Sequence, residues 1–126
     1  MNYVLDSTLI IDWANGYDPA RLVMQALFEG PNDLFTCDVV TCETLAAGDD
    51  EQRAAVLKLL DALEFVSIDP EAARWAGDSR RRRGQSSHRT IGDALIAGFA
   101  WANRATVVTR NPRDFEAQGV SVLRYG

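Results

Sequence analysis

The chain has little of what many site chemistries use. Histidine occurs once, at His88, and cysteine twice, at Cys37 and Cys42. That is too few for a Cys/His zinc set. Both cysteines read as small buried apolar side chains rather than redox or metal groups. Disulfides are not needed either: 126 residues, expected to form one domain over 1–126, can remove roughly two thirds of their unfolded surface from water. No run approaches the ~18 consecutive apolar residues of a membrane span. The N-terminus opens on a strand-like segment instead of a basic-then-apolar signal, so a cytoplasmic protein with no membrane partner is expected. Lysine is nearly absent, Lys58 being the only one among 13 basic residues. Set against 18 acidic residues these leave a formal charge of −5, which argues against broad, nonspecific attraction to nucleic acid. Local attraction is another matter. Arg80, Arg81, Arg82 and Arg83 are consecutive and Arg89 follows shortly, and the planar guanidinium fork suits phosphate. The same run also reads as a solvated helix end offsetting the negative end of the helix dipole.

What is present is an alternation of short apolar runs with longer helical patterns, which marks a parallel sheet covered by helices. Strands are expected at Tyr3 to Asp6, Leu34 to Thr36, Phe65 to Ile68, Thr106 to Val108 and Val120 to Leu123. Asp18-Pro19 starts a helix with the aspartate as cap and Leu22, Val23, Ala26 and Leu27 on its inner face. A helix from about Val39 to Ala47 follows the second strand and ends by Gly48. The next begins near Asp50 and sets Val56, Leu59, Leu60 and Leu63 at helical spacing. Asp69-Pro70 starts another, which runs into the arginine cluster and breaks at Gly84-Gln85-Ser86-Ser87. Thr90 then caps a nearly all-apolar helix. The sum is one α/β domain with a central parallel sheet of about five strands.

Four acids sit awkwardly in this pattern. Asp6 ends a buried strand. Glu43 shares a helix face with Val39 and Ala46, the side expected to turn inward. Asp93 opens the apolar helix, and Asp114 follows the Val107-Val108 strand through Thr109-Arg110-Asn111-Pro112-Arg113. Carboxylates in such places are costly unless paired, hydrogen-bonded or bound to a cation. In parallel sheets ligands gather at the carboxyl ends of strands, so the four can converge there. Hard oxygen donors of this kind suit Mg2+ or Mn2+. Such an ion activates water and neutralises charge on a phosphoryl group, which points to phosphodiester hydrolysis. Each acid also has a local explanation. Thr90-x-x-Asp93 matches a capping box, Asn111-Pro112-Arg113-Asp114 a helix start, Asp6 a helix cap, and Glu43 the partner of a buried arginine.

In order and surroundings these residues resemble a PIN-domain ribonuclease, and specifically a VapC-type toxin of a toxin-antitoxin pair. The resemblance covers the whole chain. It rests on Val4-Leu5-Asp6-Ser7-Thr8, on Glu43, on Gly92-Asp93-Ala94-Leu95-Ile96-Ala97, and on Thr109 through Phe115, the last two being the most specific. One departure is local: Thr44 stands where the family often has Leu after the glutamate. The resemblance implies a single PIN-like domain that is a Mg2+- or Mn2+-dependent endoribonuclease. Asp6 and Asp93 would be direct ligands, with Glu43 and Asp114 acting through water. It further implies that Ser7, Thr8, Thr109 and Asn111 orient carboxylates and waters, and that Arg80, Arg81, Arg82, Arg83, Arg89 and Arg110 contact RNA. Products would carry a 5′-phosphate and a 3′-hydroxyl. The partners implied are the RNA substrate, a cognate VapB-type antitoxin with a basic residue for the acidic pocket, and a homodimer within a larger toxin-antitoxin assembly. Leu9, Trp13 and Leu45 are candidates for the groove that takes the antitoxin. His88 reads as an exposed loop residue.

Two other classes stay open. A catalytically silent PIN fold would only bind RNA or a partner. A receiver-like signalling domain also gathers acids at a sheet end, but would want adjacent acids after the first strand and a late lysine; here Asp6 precedes Ser7-Thr8, and Lys58 lies within a helix.

Overall fold

The computed structural model describes residues 1–126. Its centre is strand β1 (Asn2–Leu5), hydrogen-bonded in parallel on one side to β2 (Asp33–Thr36) and on the other to β4 (Thr106–Thr109). The edges are β3 (Glu64–Phe65), parallel to β2, and β5 (Val122–Arg124), parallel to β4. The order is therefore β3-β2-β1-β4-β5, and it reverses direction between β1 and β4. At such a switch point the connections leave to opposite sides and a crevice opens beyond the carboxyl ends of the two central strands. Seven helices flank the sheet: α1 (Ser7–Ala14), α2 (Asp18–Glu29), α3 (Asp38–Leu45), α4 (Asp50–Asp61), α5 (Pro70–Arg82), α6 (Ile91–Ala102) and α7 (Pro112–Glu116).

The inner strands read as unbroken apolar runs because both faces are covered. Val4, Leu5, Val107 and Val108 are fully buried, together with Ile96, Ala97 and Phe99 of α6. Burying a side chain of this size is worth about 1.5–3 kcal/mol, so the site hangs on the most strongly held part of the molecule. Helix α6 reaches the core by pressing on α5: a Cβ at Gly98 would lie 2.5 Å from the Ala72 carbonyl oxygen. Trp75 and Trp101 stack beside that contact, centroids 5.8 Å apart. No helix is long and apolar enough to cross a membrane.

Several elements differ from the sequence reading. Helix α2 buries Ala20, Met24 and Leu27, leaving Leu22 68 % exposed and Ala26 exposed. Leu27 and the partly buried Val23 of the expected stripe do pack on the core, and Ala20 and Met24 complete it. Its N-cap is Tyr17, so Asp18 lies in the first turn and complements the helix dipole there. Strand β3 is only two residues long, because beyond Val66, whose N–H still donates to Thr36 O, the chain leaves the ladder. A short edge strand offers little to a foreign chain. Strand β5 is shifted to Val122–Arg124, after the left-handed turn at Gly119 (φ +84°). Cys37 is buried as expected, but Cys42 is exposed on α3.

Candidate active site

Asp6 is the first residue beyond β1, and its position follows from that strand's burial: only 2 % of it is exposed. Its carboxylate is held on both oxygens. Oδ1 accepts from the Ser7 backbone N–H at 2.8 Å and from Ser7 Oγ at 3.4 Å. Oδ2 accepts from Thr8 Oγ1 at 2.9 Å and from Thr109 Oγ1 at 2.7 Å. Burial pushes the Asp6 pKa up, and the bonds from Thr109, Thr8 and Ser7 draw it back toward the ionised form. Thr109, at the end of β4, is fully buried and accepts from the Asn111 N–H at 3.0 Å. The two central strands thus meet at one carboxylate. Asp6 is also the N-cap of α1, bonding the Ser7 N–H, so the capping and site readings hold together.

Glu43 arrives from α3. The inward face of that helix carries Val40 and Thr44 rather than Val39 and Ala46, which corrects the expected register. Thr44 closes its hydroxyl on Val40 O at 2.8 Å, so a polar residue fits the inner face. Glu43 is exposed overall, but its carboxylate reaches the start of α6, where a Cβ at Gly92 would lie 2.7 Å from Oε2. Partial enclosure raises its pKa, with the Asp6 charge adding to this and the Ser7 hydroxyl opposing it. No arginine pairs with it; the two ion pairs are Arg83–Asp114 and Arg110–Asp12.

Asp93 occupies the first turn of α6, yet Thr90 does not form the expected capping box. The Thr90 hydroxyl instead donates to Ser87 O at 2.8 Å and accepts from Arg80 Nε at 3.1 Å. A capping box forms elsewhere, between Asp49 and Gln52 at the start of α4. Left without that role, the Asp93 carboxyl is pushed up to about 6 by burial and then by the charges of Asp6, Asp114 and Glu43, while Arg83 pulls the other way. Asp114 lies in the first turn of α7, 55 % exposed, 3.9 Å from Arg83 Nη2. Asn111 caps that helix through its backbone only; its side chain is exposed.

Asp93 thus feels the charges of Asp6, Asp114 and Glu43, and Glu43 feels that of Asp6, although no three acids are drawn into a ready-made ion cage. The donor set fits a small hard cation that keeps several waters and needs only one or two carboxylates. Asp6 Oδ2 already takes two short bonds, so Oδ1, with one short and one long, is the oxygen with room. Beside the acids is a cavity of about 230 Å3 lined by Asp93, Asp114, Arg83, Arg89, Thr90 and Gln118, among others, with no apolar side chain.

The arginine run divides by what each side chain meets. Arg81 and Arg82 are exposed. Arg80 braces the loop before α6, donating from Nη2 to Ser87 O at 2.9 Å as well as to Thr90. Arg83 turns to the acids. Arg110 points away from that cavity: it pairs with Asp12 at 3.4 Å and lies over the Tyr17 ring. His88 is exposed, as expected. Sequence reasoning missed Ser79 and Gln118. Ser79 Oγ donates to Gln118 Oε1 at 2.9 Å, and Gln118 Nε2 donates to Asp114 O at 3.0 Å. This buried relay ties α7, and hence Asp114, to α5. Its one sequence signal is Ser79 falling on the buried stripe of Ala72 and Ala76.

A doubly wound parallel sheet with acids at its switch point defines the class, and the family follows. The chain belongs to the PIN domain family, which matches residues 3–119. Among solved structures it resembles VapBC2 from Rickettsia felis bound to a promoter DNA fragment, with a TM-score of 0.81, 19 % identity and 100 % of both chains covered. It also resembles a toxin-antitoxin complex from Klebsiella pneumoniae, with a TM-score of 0.72 and 23 % identity over 96 % of this chain and 95 % of that one. A third likeness is to VapBC-5 of Mycobacterium tuberculosis, at TM-score 0.64 and 26 % identity over 98 % of each chain. No curated protein matches it in sequence.

Proposed function

We propose that this PIN domain is a Mg2+- or Mn2+-dependent endoribonuclease and the toxin of a type II toxin-antitoxin pair. The observation that supports the reading is Asp93, whose carboxyl is raised to about 6 by burial and then by the charges of Asp6, Asp114 and Glu43, three acids that arrive from other elements. A fold without use for a cation would gain stability by losing the half-buried, repelled charge of Asp93. Asp6 through Oδ1 and Asp93 would hold the ion directly, with Glu43 and Asp114 reaching it through water. When bound, the ion supplies Lewis-acid activation of water and neutralises charge on the phosphoryl group. The chain's own residues do the rest. Ser7, Thr8 and Thr109 fix the orientation of Asp6. Gln118 fixes the backbone of Asp114. Hydrolysis forms a bond from water oxygen to phosphorus and breaks the P–O3′ bond. The departing oxygen takes up a proton, leaving 5′-phosphate and 3′-hydroxyl ends.

Two of the solved structures it resembles, from Klebsiella pneumoniae and Mycobacterium tuberculosis, are toxin-antitoxin proteins, which supports a VapB-type partner. Leu9 is fully buried and so drops out of the expected groove. In its place, a hollow of about 200 Å3 between α1, α3 and α4, lined by Ile11, Ala14, Thr44 and Val56 among others, offers apolar surface to an antitoxin tail. The test is to incubate the purified chain with RNA and Mn2+ and map the new ends. Cleavage should leave 5′-phosphates and fall at least about a hundredfold in Asp93→Asn, a few kcal/mol of transition-state stabilisation. A wild-type protein inert with Mn2+ would refute the reading in favour of a silent binding module.

A further inference from the structure

Arg83 is the C-cap of α5. Its side chain is only 22 % exposed, and its one charged partner, Asp114 Oδ1, is 3.9 Å away. Arg80, three residues earlier, spends its donors on Thr90 and Ser87. The Arg83 guanidinium has five N–H donors, makes no hydrogen bond through them, and lines the cavity that holds Asp93 and Asp114. A largely enclosed guanidinium is costly until something accepts from it. A phosphodiester entering among carboxylates is repelled by each of them, so its binding there needs cationic help. An arginine fork matches two phosphate oxygens at once.

We propose that Arg83 is the residue that grips the scissile phosphate, and that in the free protein its charge partly offsets Asp93 and Asp114 and so opposes cation binding at Asp93, on the wall of the same cavity. The proposal rests on the reading of this site as an RNA-cleaving one. It sets Arg83 apart from Arg81 and Arg82, whose exposure fits them for more distant backbone contacts. One position should then govern two measurements in opposite directions.

The experiment compares wild type, Arg83→Gln, Arg83→Lys and, as a charge control on the exposed side of α5, Arg74→Gln. Mn2+ affinity is measured by calorimetry on the full chain without RNA, and single-turnover cleavage at saturating RNA with saturating Mn2+. Arg83→Gln is expected to bind Mn2+ about threefold tighter, from the loss of one screened like charge, yet to cleave about a hundredfold more slowly, as when a transition-state donor is removed. Arg83→Lys keeps the charge without the fork, so its Mn2+ affinity should stay at the wild-type value while cleavage remains slow. Arg74→Gln should alter neither. Cleavage at the wild-type rate in Arg83→Gln would overturn the phosphate assignment. Slow cleavage with unchanged Mn2+ affinity would overturn the shared cavity. Wild type that neither binds Mn2+ nor cuts RNA would instead overturn the reading of the site itself, a result distinct from either.

Discussion

Gly92 offers a perturbation whose effects on folding and on chemistry should separate. It is the second residue of α6, and a methyl placed on it would stand 2.7 Å from Glu43 Oε2, against 3.4 Å for ordinary contact. In Gly92→Ala the carboxylate must therefore retreat by about 0.7 Å. The Glu43 side chain is long and the residue is exposed, so the retreat costs little in stability. Alanine meanwhile improves helix propensity by up to about 1 kcal/mol. The variant should unfold in urea at the wild-type midpoint or slightly above it. Catalysis should not be spared, because displacement of a positioning group by about 1 Å can cost a hundredfold; a loss of about ten- to a hundredfold in single-turnover RNA cleavage is expected, with weaker Mn2+ binding. Gly92→Ala protein as stable as wild type and cutting at the same rate would refute the idea that Glu43 works from this position. A strongly destabilised variant would show that Gly92 serves helix packing instead.

Asp93→Asn should stabilise the metal-free protein. The folded pKa of Asp93 is raised to about 6, so the native state binds more protons than the unfolded one between about pH 4 and 6. The stability linked to this group is full below about pH 4 and lost as pH rises through about 6. At pH 7 in chelator the substitution should recover on the order of 1–2 kcal/mol after allowance for solvent screening, and a urea series in chelator should show a flatter dependence between pH 4 and 6; an unchanged slope would contradict the electrostatic account. Gly98→Ala should destabilise by about 1–3 kcal/mol through overpacking against the Ala72 carbonyl, read as a lower urea midpoint with unchanged m-value. Arg81→Ala and Arg82→Ala should each weaken RNA binding and reduce the salt slope by about one, with single-turnover rate at saturation unaltered; unchanged slopes would return these residues to the role of a solvated helix end. Thr36→Val should raise stability by about 1 kcal/mol, because the Thr36 hydroxyl is buried without a partner.

The sequence alone determined the parallel α/β sheet, the four acids and their order along the chain. Those are consequences of local rules: central strands buried on both faces must be largely apolar, and Asp6 stands out because it ends such a run. Aspartate before proline likewise located the start of α5, whose cap is Asp69. Tertiary structure decided what local rules leave degenerate. On α2 the helical period leaves open which neighbours of Leu27 turn inward, and packing buries Ala20 and Met24 while leaving Leu22 outside. Thr90-x-x-Asp93 satisfies a capping pattern, but Arg80 and Ser87 claim the threonine hydroxyl and free Asp93 for the site. The arginine run looks uniform as a string; contacts with the loop before α6 hold Arg80, Arg83 at the C-cap of α5 lies toward Asp114, and Arg81 and Arg82 stay in solvent. Glu43 stands opposite Gly92, and Ser79 opposite Gln118, at sequence separations that no periodicity spans. Local geometry is encoded within a few residues, whereas the electrostatics of the pocket arise only where the ends of β1 and β4 and the starts of α6 and α7 meet.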